Sequence, residues 1–110
     1  MKLDVQQREG ATVVDVQAPR LDAAQAAAFR NALLDVVKDG TVSKLVLDFG
    51  KVKMIDSSGL GALVSVLKSL NGKGAILVAG ANPSVLGVFK LTRLDRVFPI
   101  HESVDAAVTA

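Results

Sequence analysis

Short runs of strand-forming residues alternate with segments of helical periodicity along this chain, and that alternation limits the possible folds more than any other feature. Residues 44–49 and 75–79 are short aliphatic runs, which are typical of strands buried on both faces of a sheet. Apolar residues at three- and four-residue spacing follow each run and predict amphipathic helices. Strands that alternate with helices in this way predict an α/β fold with a largely parallel sheet.

The first part of the chain adds two strands before the alternation begins. Residues 3–5 and 11–16 have strand patterns, and Glu9-Gly10 between them is typical of a tight hairpin turn. The predicted order is β-β-α-β-α-β-α-(β)-α, a mixed, mostly parallel sheet of four to five strands with about four helices. We expect residues 1–110 to form a single domain, because no repeat, linker or low-complexity tract divides them.

A capping residue predicts where the first helix begins, and apolar spacing predicts the second. Asp22 is placed as the N-cap of a helix over residues 23–38, with Gln25 as its capping-box partner. The second helix is predicted from about Ser58 to Leu70, because leucine and valine recur there at helical spacing.

The C-terminal part of the chain predicts two more helices and one more strand. Asn82-Pro83 combines a good N-cap with proline at the first helical position, so a third helix is expected to run to about Leu91. Residues 97–100 are predicted as a short edge strand, because the proline within them cannot donate to a ladder. Ser103 is expected to precede a last short helix.

Composition excludes several classes of protein. Half of the residues are apolar, which excludes a disordered chain, and the absence of tryptophan and tyrosine leaves little for base stacking. The net charge is +2, and the densest basic cluster, Lys90 with Arg93 and Arg96, is interrupted by Asp95, so we expect no direct nucleic-acid binding. With no cysteine, no signal-peptide pattern and no apolar stretch of about 18 residues, we expect a cytoplasmic protein without disulfides or membrane insertion.

The segment Asp56-Ser57-Ser58-Gly59-Leu60-Gly61, named the serine motif below, is the strongest candidate for a functional site. It opens the second predicted helix, so its serines lie where unpaired backbone N–H groups and a partial positive charge meet. A phosphate is well accommodated at such a position, and the two glycines let another backbone approach closely. The same residues also fit a structural role, in which Ser57 or Ser58 caps the helix and the glycines permit tight packing.

Catalytic interpretations find little support in the sequence. The serine motif lacks the third glycine of a dinucleotide-binding loop, and neither a P-loop nor a nucleophile elbow is present. The only histidine, His101, has no acidic partner evident in the sequence, and Asp48 is expected to make a strand-end contact rather than a carboxylate pair with Asp56. We therefore predict no enzyme activity, no cofactor and no metal site.

Two segments around the serine motif resemble the sequence of a known family. The run at residues 45–49, followed after a short spacer by residues 54–63, resembles the signature of STAS domains, in particular the stand-alone anti-sigma factor antagonists of bacteria. The resemblance covers essentially the whole chain, and further matching segments lie at residues 20–22, 82–85, 94–98 and 103–107.

The resemblance implies a mechanism of partner switching. Such proteins bind an anti-sigma factor that is also a serine kinase of the histidine-kinase-like ATPase fold, and binding releases the sigma factor. The kinase phosphorylates the first serine of the motif, here Ser57, and a PP2C-type phosphatase removes the phosphate. The resemblance also implies a set of partner-binding residues, which are Asp22, Asp56, Ser57, Ser58, Gly59, Leu60 and Gly61.

The resemblance leaves a second function open. STAS domains also act as accessory subunits of lipid-transport ABC ATPases or of sensory signalling complexes, where the same surface docks a partner without obligatory phosphorylation. The loop at residues 18–22 lacks the glycine that is usual in the family, so its shape is expected to differ. Lys51 and Lys53 add positive charge before the motif, which fits either an acidic partner or a solvated surface.

Overall fold

Seven strands and four helices organise the chain in a computed structural model that describes residues 1–110. The strands are β1 (Leu3–Arg8), β2 (Ala11–Val16), β3 (Arg20–Leu21), β4 (Lys44–Asp48), β5 (Met54–Ile55), β6 (Ala75–Ala79) and β7 (Ile100–His101). The helices are α1 (Ala26–Val37), α2 (Ser57–Ser69), α3 (Pro83–Leu91) and α4 (Val104–Val108), with a 3₁₀ turn at Leu94–Arg96. Five strands form one sheet in the order β1-β2-β4-β6-β7, and β3 pairs with β5 in a separate sheet. None of the helices is both long and apolar enough to cross a membrane.

The predicted hairpin at the start of the sheet is confirmed. β1 and β2 pair antiparallel along their whole length, up to Arg8 opposite Ala11, which leaves Glu9 and Gly10 as a two-residue turn. Both turn residues have positive φ, 51° and 82°, as a type I′ turn requires. β1 pairs only with β2, so its other side is a free edge of the sheet.

The other strands of the five-stranded sheet run parallel, as the alternating pattern predicts. α1, α2 and α3 pack on one face and enclose the larger core, whereas α4 alone covers part of the opposite face. β4 lies at the centre, and its residues Leu45, Val46 and Leu47 are fully buried because both faces are covered.

Aromatic contacts attach α3 to the central strands. Phe89 of α3 packs against Phe49, which follows β4, and against Phe98, which precedes β7. The ring centroids are 6.4 Å and 6.1 Å apart, and all three side chains are fully buried. Contacts of this kind stabilise the fold beyond what the buried apolar area of the rings contributes.

The first helix begins later than the sequence predicts, and Asp22 does not cap it. α1 starts at Ala26, and the preceding residue, Gln25, makes no side-chain cap. Asp22 instead opens a turn, in which the Gln25 N–H donates to the Asp22 carbonyl oxygen at 3.0 Å. The predicted capping box is wrong because this turn takes up the residues that the pattern assigns to the first helical turn.

The last strand is shorter than predicted and displaced from residues 97–100. β7 comprises only Ile100 and His101. Phe98 turns into the core, and the Pro99 carbonyl oxygen accepts the N–H of Val78 at 2.9 Å. The N–H groups of Val97 and Phe98 both donate to the Leu94 carbonyl oxygen, at 3.0 Å and 2.8 Å, so these two residues belong to the turn that follows the 3₁₀ segment and not to the strand.

The predicted cap at Asn82 and the predicted short helix after Ser103 are both confirmed, and Asn82 does more than cap. Its Oδ1 accepts the Val85 N–H at 2.8 Å, while its Nδ2 donates to the carbonyl oxygens of Val52 and Lys53, both at 3.2 Å. These bonds connect α3 to the segment between β4 and β5, which leads directly into the serine motif.

Two replacements of Asn82 separate the cap from this connection. Asn82→Ala removes both, whereas Asn82→Ser keeps a capping oxygen but is too short to reach Val52 and Lys53. We expect the free energy of unfolding, measured by urea denaturation, to fall by about 2 kcal/mol for alanine and about 1 kcal/mol for serine. Amide hydrogen exchange at Lys53 and Met54 should be faster in both variants. Unchanged exchange would show that Asn82 does not hold this segment.

Candidate functional site

A two-stranded parallel sheet, which the sequence pattern does not reveal, positions the serine motif. β3 pairs with β5 so that Leu21 lies opposite Ile55. The backbone continues this pairing, because the Asp56 N–H donates to the Leu21 carbonyl oxygen at 3.2 Å. Asp22 and Asp56 each follow a paired residue, so the pairing brings them to neighbouring positions at the start of α2.

Asp56, and not a serine, caps α2. Its backbone is extended, and its Oδ1 accepts the N–H groups of Ser58 at 2.9 Å and Gly59 at 3.1 Å. An N-cap carboxylate of this kind satisfies two of the N–H groups that the first turn of a helix leaves unpaired. The interpretation in which Ser57 or Ser58 caps the helix is therefore wrong.

This arrangement leaves the side chain of Ser57 free. Ser57 is the first residue of α2, it is exposed, and its hydroxyl makes no hydrogen bond within the chain. Asp56 takes the capping position, so the Ser57 hydroxyl is not needed to complete the helix. The hydroxyl lies on the surface at the positive end of the helix dipole, accessible to another protein.

The two glycines of the serine motif have different surroundings. A Cβ at Gly59 would lie 2.2 Å from the Leu21 carbonyl oxygen and 2.8 Å from Ile55 Cγ1, so only glycine fits where α2 meets β3. A Cβ at Gly61 would meet nothing within 4 Å, and Gly61 is exposed. Leu60 is buried in the main core and offers no side-chain surface. Gly59 and Leu60 thus pack α2 against β3 and the core, while Gly61 leaves the exposed side of the helix without a protruding side chain.

A groove of about 340 Å³ runs beside the motif, between α2 and the beginning of α1. α2 lines it with Ser58, Gly61 and Ser65, and the other side consists of alanines together with Arg30. Every lining side chain except Arg30 is small, so another backbone could approach this surface closely. The sequence-predicted residues Ser58 and Gly61 therefore face a common surface next to Ser57.

Ion pairs hold the charged side chains of the flanking segments. Arg20 Nε donates to Asp22 Oδ2 at 3.2 Å, and Asp22 Oδ1 is buried without a hydrogen-bond partner. Lys51 Nζ donates to Asp15 Oδ2 at 2.8 Å, and this hydrogen bond, together with the charge of Asp15, raises the pKa of Lys51. The resulting stabilisation is complete below the ordinary lysine pKa of 10.5 and is lost as pH rises through the raised value. Lys53, in contrast, is exposed and forms no ion pair.

Neither His101 nor Asp48 is hydrogen-bonded to Ser57. His101 lies in β7 and lines a separate groove between α3 and β7. Asp48 does not pair with Asp56, because its Oδ1 accepts the Gly50 N–H at 2.9 Å, the strand-end contact that the sequence predicts. The chain has no group of three or more histidine, aspartate or glutamate side chains arranged to hold a metal ion.

Comparison with known proteins identifies relatives that share this fold. The family described as STAS domain matches residues 2–107. A Thermotoga maritima protein, named as a candidate anti-sigma factor antagonist, is 31% identical over 81 residues, which span 73% of this chain and 72% of that protein. The crystal structure of an anti-sigma factor antagonist from Mycobacterium paratuberculosis is 30% identical, with a TM-score of 0.86 over 98% of this chain and 91% of its own. The phosphorylated form of Bacillus SpoIIAA, at 17% identity, shares the fold with a TM-score of 0.70 over 98% and 97% of the two chains.

Fold and site define a small mixed α/β domain that displays a free serine at the start of its second helix. The chain belongs to the STAS domain family. Its relatives are named for a regulatory activity and not for a reaction that they catalyse.

Replacing each glycine of the motif with alanine tests whether Gly59 is needed for packing and Gly61 is an open surface position. Gly59→Ala drives a Cβ into the Leu21 carbonyl oxygen, so we expect the free energy of unfolding to fall by about 3 kcal/mol. Gly61→Ala places a better helix former at an open position and should raise it by up to about 1 kcal/mol. Urea denaturation of both variants measures the difference, and equal losses would contradict this division.

Proposed function

We propose that this chain is an anti-sigma factor antagonist whose partner binding is switched off by phosphorylation of Ser57. The observation that carries the proposal is the exposed Ser57 hydroxyl, which the Asp56 cap leaves without a structural task. Family membership and the names of the relatives support the antagonist function. The proposed partners are an anti-sigma factor that is also a serine kinase, and a PP2C-type phosphatase, all acting in the cytoplasm.

The proposed partner-binding surface is built in two layers. The outer layer consists of Ser57 and Gly61, which are exposed, and Ser58, which is half-buried, and the groove beside them admits a partner's backbone. Asp22 and Asp56 border this surface at the ends of β3 and β5. The underlying layer consists of Gly59 and Leu60, which hold α2 against β3 and the core and so fix the position of the exposed residues.

In the proposed reaction this chain supplies only the acceptor. The γ-phosphoryl group of ATP is transferred to Ser57 Oγ, ADP leaves, and the hydroxyl proton passes to a base. That base has to come from the kinase, because no histidine or carboxylate of this chain is hydrogen-bonded to the Ser57 hydroxyl, and the Asp56 Oδ1 is occupied by two backbone amides. A residue in this position is a substrate of another active site and not a nucleophile of its own.

The physical effect of the phosphate follows from the cap. A phosphoserine carries close to two negative charges at pH 7. Because Asp56 already accepts the N–H groups of Ser58 and Gly59, the phosphate cannot take the capping position and projects outward beside a second negative charge. A partner packed against the low surface at Gly61 would meet added bulk, a desolvation cost and repulsion. A hundredfold loss of affinity takes only about 2.7 kcal/mol, which these terms can supply without any change of fold.

Three variants test the switch with a purified kinase of the histidine-kinase-like ATPase fold from the same organism. Ser57→Ala should bind the kinase within about threefold of wild type and accept no phosphate, whereas Ser57→Asp should bind about 100-fold more weakly. Ser58→Ala is the matched control and should still incorporate one phosphate, at Ser57. Isothermal titration calorimetry measures the affinities, and mass spectrometry locates the phosphate.

The outcomes separate the alternatives. Phosphate on Ser58, or none on the wild-type chain, would contradict the switch. Capture of an ABC-type ATPase by the unmodified chain, with no kinase binding, would identify an accessory subunit in its place. The circular dichroism spectrum of Ser57→Asp must match that of wild type, so that lost binding reports on the surface alone.

A further inference from the structure

We infer that the free edge of β1 is a self-association surface, through which two copies of this chain join their five-stranded sheets into one continuous sheet. The inference goes beyond the proposed function and uses no residue of the serine motif. It rests on the open edge, on the direction of the backbone groups along it, and on charges that complement each other when two copies meet.

The two edges of the sheet differ in how they are protected. β7 has only two residues and directly follows Pro99, so it presents few free backbone groups. β1 has six residues, contains no proline, and is exposed along most of its length. Val5, near its centre, is an aliphatic side chain left 44% exposed. A long edge strand without proline is a template for pairing with another strand, and the charged residues Asp4 and Arg8 limit which strand it accepts.

The hairpin register determines which backbone groups of β1 are free. Arg8 and Ala11 close a two-residue turn and therefore form a hydrogen-bonded pair. At the other end of the hairpin, the Gln17 N–H donates to the Lys2 carbonyl oxygen at 3.4 Å. Since hydrogen-bonded pairs alternate along an antiparallel ladder, the even-numbered residues of β1 bond to β2. The N–H and C=O groups that point to the free edge belong to Leu3, Val5 and Gln7.

Charge selects one antiparallel register between two copies. Only odd-numbered residues of β1 can exchange backbone hydrogen bonds across the new seam. In the register that pairs Val5 with Gln7 of the second copy, Asp4 lies opposite Arg8 of the second copy. Twofold symmetry repeats this pair, so the seam contains two ion pairs at positions where cross-strand side chains lie closest. Of the two neighbouring registers, one places Arg8 opposite Lys2, and the other brings no opposite charges together.

The two charged side chains are available for this contact. Asp4 and Arg8 line the same cleft on the α4 side of the sheet, so they project from one face of β1. Asp4 is exposed and forms no ion pair within the chain. Arg8 Nη2 donates to Asp105 Oδ1 at 2.5 Å, and the Asp105 side chain is 81% exposed. The Arg8 guanidinium has further N–H groups that can bind a second carboxylate.

The size of the seam predicts a weak dimer. Each pairing of Val5 with Gln7 exchanges two backbone hydrogen bonds, so the centre of the seam holds about four. An interface of this size belongs at the small end of specific contacts, and we expect a dissociation constant of about 0.1–1 mM. α2 packs on the helix-covered face and not at this edge, so both copies of Ser57 stay exposed.

Sedimentation equilibrium at increasing concentration tests the edge itself. Wild type should pass from monomer towards dimer between roughly 10 µM and 1 mM. Val5→Pro removes an outward-facing N–H while sparing the ladder to β2, so it should stay monomeric. Val5→Thr keeps that N–H and is the matched control, which should associate within about threefold of wild type.

Charge reversal tests the register. Asp4→Arg alone and Arg8→Asp alone each place like charges opposite each other, so each variant should stay monomeric. An equimolar mixture of the two restores both ion pairs in a mixed dimer and should associate within about threefold of wild type. Ser57→Asp should associate like wild type, so failure of this inference and failure of the phosphorylation switch can be told apart.

Each contrary outcome overturns the inference. A wild-type chain that remains monomeric throughout, or a Val5→Pro variant that associates like wild type, would exclude the β1 edge. A mixture that stays monomeric while wild type dimerises would exclude this register. Pairing of β1 with an extended segment of another protein, without self-association, would replace the second copy as the occupant. Melting temperatures close to that of wild type show that each variant is folded.

Discussion

The close approach of Gly59 to the Leu21 carbonyl oxygen is the contact on which the site depends. No side chain fits between them, since an added Cβ would lie 2.2 Å from that oxygen. The contact seats the first turn of α2 directly on β3, and the pairing of β3 with β5 determines where the helix begins. From there Asp56 has the extended backbone of an N-cap, and its carboxylate bonds to the first amides. Ser57 is thereby directed to the surface with its hydroxyl unengaged.

Within the serine motif, the structural roles thus belong to residues other than Ser57. Gly59 packs against β3, Asp56 caps the helix and Leu60 contacts the core, so the fold does not depend on the Ser57 side chain. A residue free of structural duty can gain or lose a phosphate at little cost to stability. In the proposed switch, the added charge changes the affinity for the partner and not the fold of this domain, because Asp56 continues to cap α2.

Local signals were sufficient to predict much of the fold. The hairpin turn at Glu9-Gly10, the buried strand β4, the cap at Asn82 and the short helix after Ser103 all follow from residues adjacent in sequence, and the structure confirms them. The STAS family assignment was likewise readable from the motif and its spacing, and the family match over residues 2–107 confirms it.

Features that depend on contacts distant in sequence escaped prediction. β3 and β5 have two residues each, too few for any periodicity, and they exist only because they pair with each other. Aspartate and serine are equally good N-caps, so the sequence could not choose between Asp56 and Ser57. The same ambiguity explains Asp22, which has the right spacing for a capping box but lies in a turn held by β3. The different tasks of the two glycines became visible only with Leu21 in place.

The central claim is that a phosphate on Ser57 changes the surface of this domain without changing its fold. The most direct measurement compares backbone amide chemical shifts of the unmodified and the stoichiometrically phosphorylated chain by nuclear magnetic resonance. The account predicts changes confined to β3, β5 and the first two turns of α2, with the amides of Ser58 and Gly59 still protected from exchange by the Asp56 cap. Changes that extend across the five-stranded sheet, or loss of that protection, would contradict it.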